Sequence, residues 1–300
     1  LCFKHWGLKR LGIKYLVLKH WGLKRLGLVK GKVVVISGAS SGIGKALAAR
    51  YAQAGAHLAI CARSLERLEP VADVLRSRYS VDVLAQRCDV SDQAQCGEFI
   101  AQTLESLGRI DVLINNAGIS MRAPFQDVNL AVLHQVMDIN YWGSVYLTKA
   151  ALPAVMQQKG SLVGVSSIAG FVGLPERVGY SSSKFALHGF LEALRIELLK
   201  QGTHVLLACP GFTESNIRNT ALLADGHPQG KSPREEKGLM TAEAVAEAIF
   251  RAQQRRKRTL VLTGKGKWTV RLRKLFPAWM DTLVWREFEK ERQHEAQRNR

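Results

Sequence analysis

Val33-Val34-Val35-Ile36-Ser37-Gly38-Ala39-Ser40-Ser41-Gly42-Ile43-Gly44-Lys45 runs from a short apolar stretch directly into three spaced glycines. An apolar run of that length, followed by glycine and then a helical pattern to about residue 54, reads as a strand buried on both faces. Gly38 permits a tight turn, Gly42 lets backbone approach a pyrophosphate, and Gly44 lets the helix pack closely on the sheet. The helix N-terminus presents unpaired N–H groups and a positive dipole end to phosphate. With Ser40, Ser41 and Ile43 between the glycines, residues 38–44 form the expected cradle for a dinucleotide.

Outward from this turn the same alternation repeats. Apolar runs at 57–61, 81–87, 112–114, 162–165, 204–208 and 259–262 are separated by helical stretches at 65–79, 92–107, 129–157, 178–200 and 242–254. Short apolar runs alternating with long helices imply βαβ units, and right-handed crossovers put the helices on both faces of the sheet. The predicted fold is α/β: a doubly wound Rossmann-type domain with a parallel seven-stranded sheet over residues 31–263.

The composition, 47% hydrophobic and 23% charged in 300 residues, supports a sizeable core and excludes collagen-like or wholly disordered chains. The net charge of +18 invites a nucleic-acid or anionic-membrane reading. Its distribution decides otherwise. Residues 1–32 hold nine Lys/Arg and no acid, and residues 251–300 hold fifteen against five. Between them nineteen basic residues face twenty acidic ones, so the core is neutral and the excess sits at the ends. No nucleic-acid reader motif occurs, and nucleic acid is not an expected partner.

Residues 1–30 contain a repeat, Lys4-His5-Trp6-Gly7-Leu8-Lys9-Arg10-Leu11-Gly12 returning as Lys19 to Gly27. It reads either as an interfacial segment or as a poorly ordered extension. Residues 264–300 form a second basic extension, with Trp, Leu and Phe among Arg and Lys and a break at Pro277. Membrane contact, a cover for the substrate pocket and subunit packing all fit it. No apolar run spans a bilayer, and no secretory signal pattern occurs, so a cytoplasmic protein, peripheral to a membrane at most, is expected.

Cys2, Cys61, Cys88, Cys96 and Cys209 are odd in number and scattered, which argues against a disulfide framework. His57, His134, His188 and His204 lack ligand spacing, so no metal is expected. Glu235-Glu236 sit side by side in a loop and do not resemble a paired acid and base.

After the second strand comes Ala62-Arg63-Ser64, with no acid until Glu66. An acid there would accept from a ribose 2′-OH, whereas Arg63 suits a 2′-phosphate, so NADP(H) is preferred over NAD(H). Further groups fall where later strands end: Asn115-Asn116-Ala117-Gly118, Asp138-Ile139-Asn140, Ser166-Ser167, and Pro210-Gly211. Tyr180-Ser-Ser-Ser-Lys184 places its phenol and amine one helical turn apart. A nearby ammonium favours phenolate and would bring Tyr180 toward working range as an acid/base. Ser167 could polarise the same substrate oxygen while a nicotinamide exchanges hydride.

These motifs, in this order over about residues 31–262, resemble the short-chain dehydrogenase/reductase family. Short segments with Arg122, GLPERVGY and NTALLADG are similar to its dehydrogenase/reductase member 7 group, which implies a membrane-associated, NADP-linked enzyme of lipid, retinoid or steroid-like substrates. The resemblance implies that Asn140 holds a water in a proton relay with Lys184, and that Lys184 also binds the nicotinamide ribose. It further implies that Asp89-Val90 contact adenine, that Asn116, Ala117 and Gly118 flank the cofactor, and that Thr213 reaches the carboxamide. Homodimers or homotetramers are implied too. Ser37 stands where Thr is usual.

Ile168, Phe171, Val172, Leu174 and Phe212 are expected to wall a small hydrophobic substrate, unless they are simply core, and Arg122 to help select it. Gly226, Pro228, Gly230 and Pro233 suggest either a lid or a passive loop. The expected activity is interconversion of a carbonyl and a secondary alcohol. The alternative is a non-catalytic nucleotide sensor or scaffold on the same fold.

Overall fold

The structure, a computed structural model, describes residues 29–211, 213, 217–230 and 239–298. The repeat in residues 1–30, Phe212, Pro233 and Glu235-Glu236 therefore lie wholly or largely outside the described residues. Seven parallel strands stand in the order β3-β2-β1-β4-β5-β6-β7. They are β1 (Val33–Ser37), β2 (His57–Ala62), β3 (Val83–Arg87), β4 (Val112–Asn115), β5 (Ser161–Val165), β6 (His204–Cys209) and β7 (Thr259–Val261). The helices are α1 (Gly42–Gln53), α2 (Leu65–Tyr79), α3 (Gln93–Leu107), α4 (Leu130–Met137), α5 (Gly143–Gln157), α6 (Val178–Glu197), α7 (Ala242–Gln254), α8 (Gly264–Leu275) and α9 (Pro277–Arg298). This is the doubly wound Rossmann-type arrangement.

All five residues of β1 are buried because both faces are covered. Val34 and Ile36, with Leu58, Ile60, Val112 and Ile114 of the flanking strands, face one core under α1, α2 and α7. Val35, Ala59 and Leu113 face the other, against α3, α5 and α6. Period-two alternation along each strand thus divides a continuous apolar run between two cores. Burying each Val, Leu or Ile there stabilises the fold by about 1.5–3 kcal/mol before entropy is counted.

Two elements differ from the sequence reading. The single helix predicted over 129–157 carries a π-helical turn, Asp138–Trp142, centred on Asn140. The run after Trp268 is split at Pro277, which lacks an N–H to donate and opens α9 where none is needed. The strand order reverses between β1 and β4, so the crevice above their C-terminal ends is where a ligand site belongs.

Candidate active site

The glycine turn is built around close approaches. Gly38 adopts φ +67°, and a Cβ there would lie 2.9 Å from Ala117 Cα. At Gly44 a Cβ would fall 2.2 Å from the Gly38 carbonyl oxygen. Ser37 is more than a substitute for Thr: its buried Oγ accepts from the N–H groups of Asn116 and Ala117, both at 3.1 Å. The Asn116 amide donates in return to the Ser37 and Gly38 carbonyls. Ser41 starts α1 without capping it through its side chain, and the N–H groups of Ser41, Gly42 and Ile43 have no partner among the described residues. A row of unpaired donors at a helix N-terminus fits a phosphate.

Beside this turn, Arg63, Asp89, Ser91, His134, Gln135 and Asp138 line a cleft of about 390 Å³. Arg63 is exposed and has no hydrogen bond or ion pair among the described residues. Asp89 instead uses Oδ1 to accept from the Ser91 N–H at 3.0 Å and the Ser91 hydroxyl at 2.7 Å. Val90 is buried against Gly143, where a Cβ would come within 2.7 Å of it. The scattered cysteines partly converge nearby: Cys61, Cys88 and Cys96 are buried in the same core. A hydrogen bond with Cys88, together with burial, pushes the Cys61 thiol up.

Asn140, Ser167, Tyr180 and Lys184 come together at the ends of β4 and β5. Tyr180 is half-buried near the start of α6, with the Ser167 hydroxyl as its hydrogen-bond partner. Ser167 follows β5, and its Oγ also accepts from the Ala169 N–H at 3.2 Å. The Lys184 ammonium is buried, lies 5.7 Å from the Tyr180 ring centre, and donates to the Val165 carbonyl at 3.2 Å. Gly118 provides the room: a Cβ there would stand 3.0 Å from Asn140 Oδ1 and 3.5 Å from Lys184 Nζ.

The electrostatics correct one expectation. Burial raises the Tyr180 phenol above its ordinary range, while the Ser167 hydrogen bond and the Arg177 charge pull it partly back. Burial also brings Lys184 down to about 8. Desolvation of the phenol thus outweighs the Ser167 hydrogen bond and the Arg177 charge.

Asn140 is fully buried within the π turn. Its Oδ1 accepts from the Ile119 N–H at 2.8 Å, and its Nδ2 donates to the Ile119 carbonyl and the Ser183 hydroxyl, both at 2.9 Å. Ser183 then donates to the Tyr180 carbonyl at 2.8 Å. Sequence reasoning missed Ser183, although it lies inside the Tyr180–Lys184 segment. A hydroxyl one turn after Tyr180 was the available signal.

Behind the site, His188 meets Ser166 Oγ at 2.8 Å and packs edge-on against Phe171. Burial and the Lys184 charge hold it neutral, at about 4. Phe171 is only partly buried and Val172 is fully buried, so they lean inward. A separate apolar cluster of Met121, Val132, Val136 and Leu222 packs against Tyr180. Pro210 is buried, and Thr213 Oγ1 donates to the Gly211 carbonyl at 3.1 Å.

The segments with Arg122, GLPERVGY and NTALLADG converge here. Arg122 pairs with Glu176 at 3.0 Å, and its N–H donates to the Leu222 carbonyl at 2.8 Å. The stretch with Gly226, Pro228 and Gly230 is therefore attached through Leu222 to the wall beside Tyr180.

Residues 32–224 match the family model for short chain dehydrogenases. The chain is 39% identical over 226 residues to 11-beta-hydroxysteroid dehydrogenase-like 4A of Arabidopsis thaliana, covering 75% of each chain. It is 35% identical over 242 residues to dehydrogenase/reductase SDR family member 7B of Xenopus laevis, covering 79% of this chain and 75% of that one. Among solved structures, an alcohol dehydrogenase of Thermococcus sibiricus complexed with 5-hydroxy-NADP aligns with a TM-score of 0.68 and 29% identity, over 77% of this chain and 95% of the other. A short chain dehydrogenase/reductase of Burkholderia phymatum in complex with NAD aligns with a TM-score of 0.74 and 26% identity, over 82% of this chain and 94% of the other.

Proposed function

The chain belongs to the short-chain dehydrogenase family of oxidoreductases acting on CH–OH groups with NAD(P), and on that premise we propose that it interconverts a hydrophobic ketone and its secondary alcohol using NADP(H). The observation that carries the chemistry is the grouping of Ser167 and the half-buried Tyr180 with the buried Lys184, with Asn140 bracing it through Ser183.

A nicotinamide cofactor held in this crevice would supply hydride in reduction and accept it in oxidation. Tyr180 gives its phenolic proton to the carbonyl oxygen in reduction and takes it back in oxidation. Ser167 donates a hydrogen bond to that same oxygen and steadies its developing charge. Lys184 supplies a positive charge beside the Tyr180 ring and would bind the nicotinamide ribose. Asn140 fixes Ile119 and, through Ser183, the first turn of α6.

Residues 38–44 would hold the pyrophosphate, with Asn116, Ala117 and Gly118 toward the nicotinamide and Gly211 and Thr213 toward its carboxamide. Val90 and Asp89 would border the adenine. Arg63, exposed at its cleft and without a partner among the described residues, would bind the 2′-phosphate. Arg63→Asp is expected to shift the ratio of NADPH to NADH affinity by about tenfold or more toward NADH, the loss of one charge-assisted contact. Titration of cofactor fluorescence reads it, and an unchanged ratio removes Arg63 from the site.

The apolar cluster beside Tyr180 favours a hydrophobic substrate, as do the hydroxysteroid dehydrogenase-like relatives. Trp142, Phe185 and Ile196 expose apolar surface on or beside the long helices α5 and α6, which supports a homodimer or homotetramer. Among the described residues no helix is long and apolar enough to cross a membrane. Trp268, Leu275, Phe276, Trp279 and Trp285 are nonetheless exposed among the basic side chains of α8 and α9, a composition suited to an anionic bilayer surface. Sedimentation with vesicles containing phosphatidylserine is expected to carry the protein down at low salt and release it at high salt. Equal recovery with neutral vesicles would end the electrostatic reading.

A further inference from the structure

Three successive turns of α6 reach the chain where β5 ends. Tyr180 meets the Ser167 hydroxyl, and Lys184 donates to the Val165 carbonyl at 3.2 Å. One turn further on, His188 Nε2 meets Ser166 Oγ at 2.8 Å. Tyr180 and Lys184 serve the reaction directly, whereas His188 touches none of the reacting groups.

Ser166 depends on that ring. Its N–H donates to the Ala208 carbonyl at 2.7 Å, which ties its backbone to β6, and its hydroxyl has no partner other than His188 among the described residues. Both side chains are buried, so the hydroxyl is shielded from substrate and the pair holds structure instead of attacking it. Without the ring nitrogen a buried hydroxyl would be left unpaired.

His188 also grips the chain on the other side of Ser167. The 3₁₀ turn Ile168–Gly170 is built on Ser167: its Oγ accepts from the Ala169 N–H at 3.2 Å, and its carbonyl accepts from the Gly170 N–H at 3.1 Å. His188 lies so close to this turn that a Cβ at Gly170 would come 2.3 Å from Nε2. Its ring then meets Phe171 edge-on, with centroids 4.5 Å apart. Cys209 Sγ, 3.7 Å from the same nitrogen, closes the ring in from β6. One side chain thus holds the residue before Ser167 and the turn after it, and it stands on the helix that carries Tyr180.

We propose that His188 is a positioning residue: by clamping Ser166 and the Gly170 turn to α6, it fixes the Ser167 hydroxyl relative to the Tyr180 phenol. The inference rests on the oxidoreductase reading, in which those two hydroxyls must meet one substrate oxygen. They come from different segments of the chain, and a misplacement of about 1 Å costs on the order of 100-fold in rate.

The full-length protein is assayed with NADPH and 1-decalone, a fused-ring ketone. His188→Leu, which keeps the bulk and loses the ring nitrogen, is expected to lower kcat about tenfold while leaving NADPH affinity within about twofold. His188→Gln, whose amide reaches the place of Nε2, is expected to recover kcat to within about threefold of the wild type. Ser166→Ala strands no buried hydroxyl and is expected to lower kcat about as far as His188→Leu does. In a Ser167→Ala background, His188→Leu is expected to change kcat by no more than about twofold, because nothing is left to position. A further loss of about tenfold in that background, no recovery in His188→Gln, or wild-type kcat in Ser166→Ala overturns the proposal.

A second measurement needs no turnover. Hydrogen exchange at the amides of Ala169, Gly170 and Phe171 is expected to quicken in His188→Leu and return in His188→Gln, with α1 unchanged. Unchanged exchange at these three amides in His188→Leu overturns the proposal whether or not the ketone is reduced. Faster exchange there in a protein that reduces no ketone counts against the oxidoreductase reading alone.

Discussion

Tyr180→Phe is expected to lower turnover by about 10²–10⁴-fold while leaving cofactor affinity within about twofold, because it deletes the proton donor and little else. The ring survives the change and keeps its packing against Met121 and its neighbours. The Ser167 hydroxyl loses one partner but still accepts from the Ala169 N–H. Lys184 continues to donate to the Val165 carbonyl, and Asn140 remains bound to Ile119 and Ser183. Nothing near the glycine turn changes. Steady-state reduction of a hydrophobic ketone and titration with NADPH separate the two quantities. Near-normal turnover would remove Tyr180 as the acid, and lost cofactor binding would mean that the phenol holds the site together instead.

Gly44→Ala should be the most damaging small substitution in the cofactor site. The added methyl would lie 2.2 Å from the Gly38 carbonyl oxygen and 2.5 Å from Asn116 Nδ2. The first neighbour is backbone, and the second is held by hydrogen bonds to the Ser37 and Gly38 carbonyls. Neither can yield cheaply, so α1 must lift from the sheet. Overpacking of this kind costs about 1–3 kcal/mol. A displaced helix end also misaims the unpaired N–H groups, and a loss of cofactor affinity on the order of 100-fold follows from misplaced donors. Thermal unfolding and cofactor titration read the two effects. Gly97→Ala is the control: it lies within α3 with nothing within 4 Å of a Cβ, and is expected to be neutral or stabilising by up to about 1 kcal/mol. Equal behaviour of the two variants would show that steric fit at Gly44 is not the determinant.

The fold was legible because its signals are local. The run 33–36 could only be a strand covered on both faces, and each later apolar run took its place beside it in the parallel sheet. The spacing from Tyr180 to Lys184 puts both on one helix face whatever the surroundings. The division of Val34 and Val35 between two cores follows from period two alone.

Other features depend on distances no local pattern encodes. Asn140 was named from its motif, but its buried bridge between Ile119 and Ser183 depends on a π turn that helical periodicity does not announce. The Tyr180 shift was misjudged because a one-turn spacing to Lys184 says nothing about desolvation, and here desolvation is the larger effect. The cysteines looked scattered because Cys61, Cys88 and Cys96 meet only when β2, the end of β3 and α3 pack together.

The glycine turn, the alternation of strands and helices, and the one-turn spacing of phenol and amine were determined by the sequence itself, since backbone sterics and short-range periodicity act within a few residues. That burial raises the Tyr180 phenol, how Asn140 braces its helix turn, and that Glu291 reaches Arg177 from 114 positions away were decided only by the tertiary structure. Burial and long-range pairing exist only after packing has brought distant segments together.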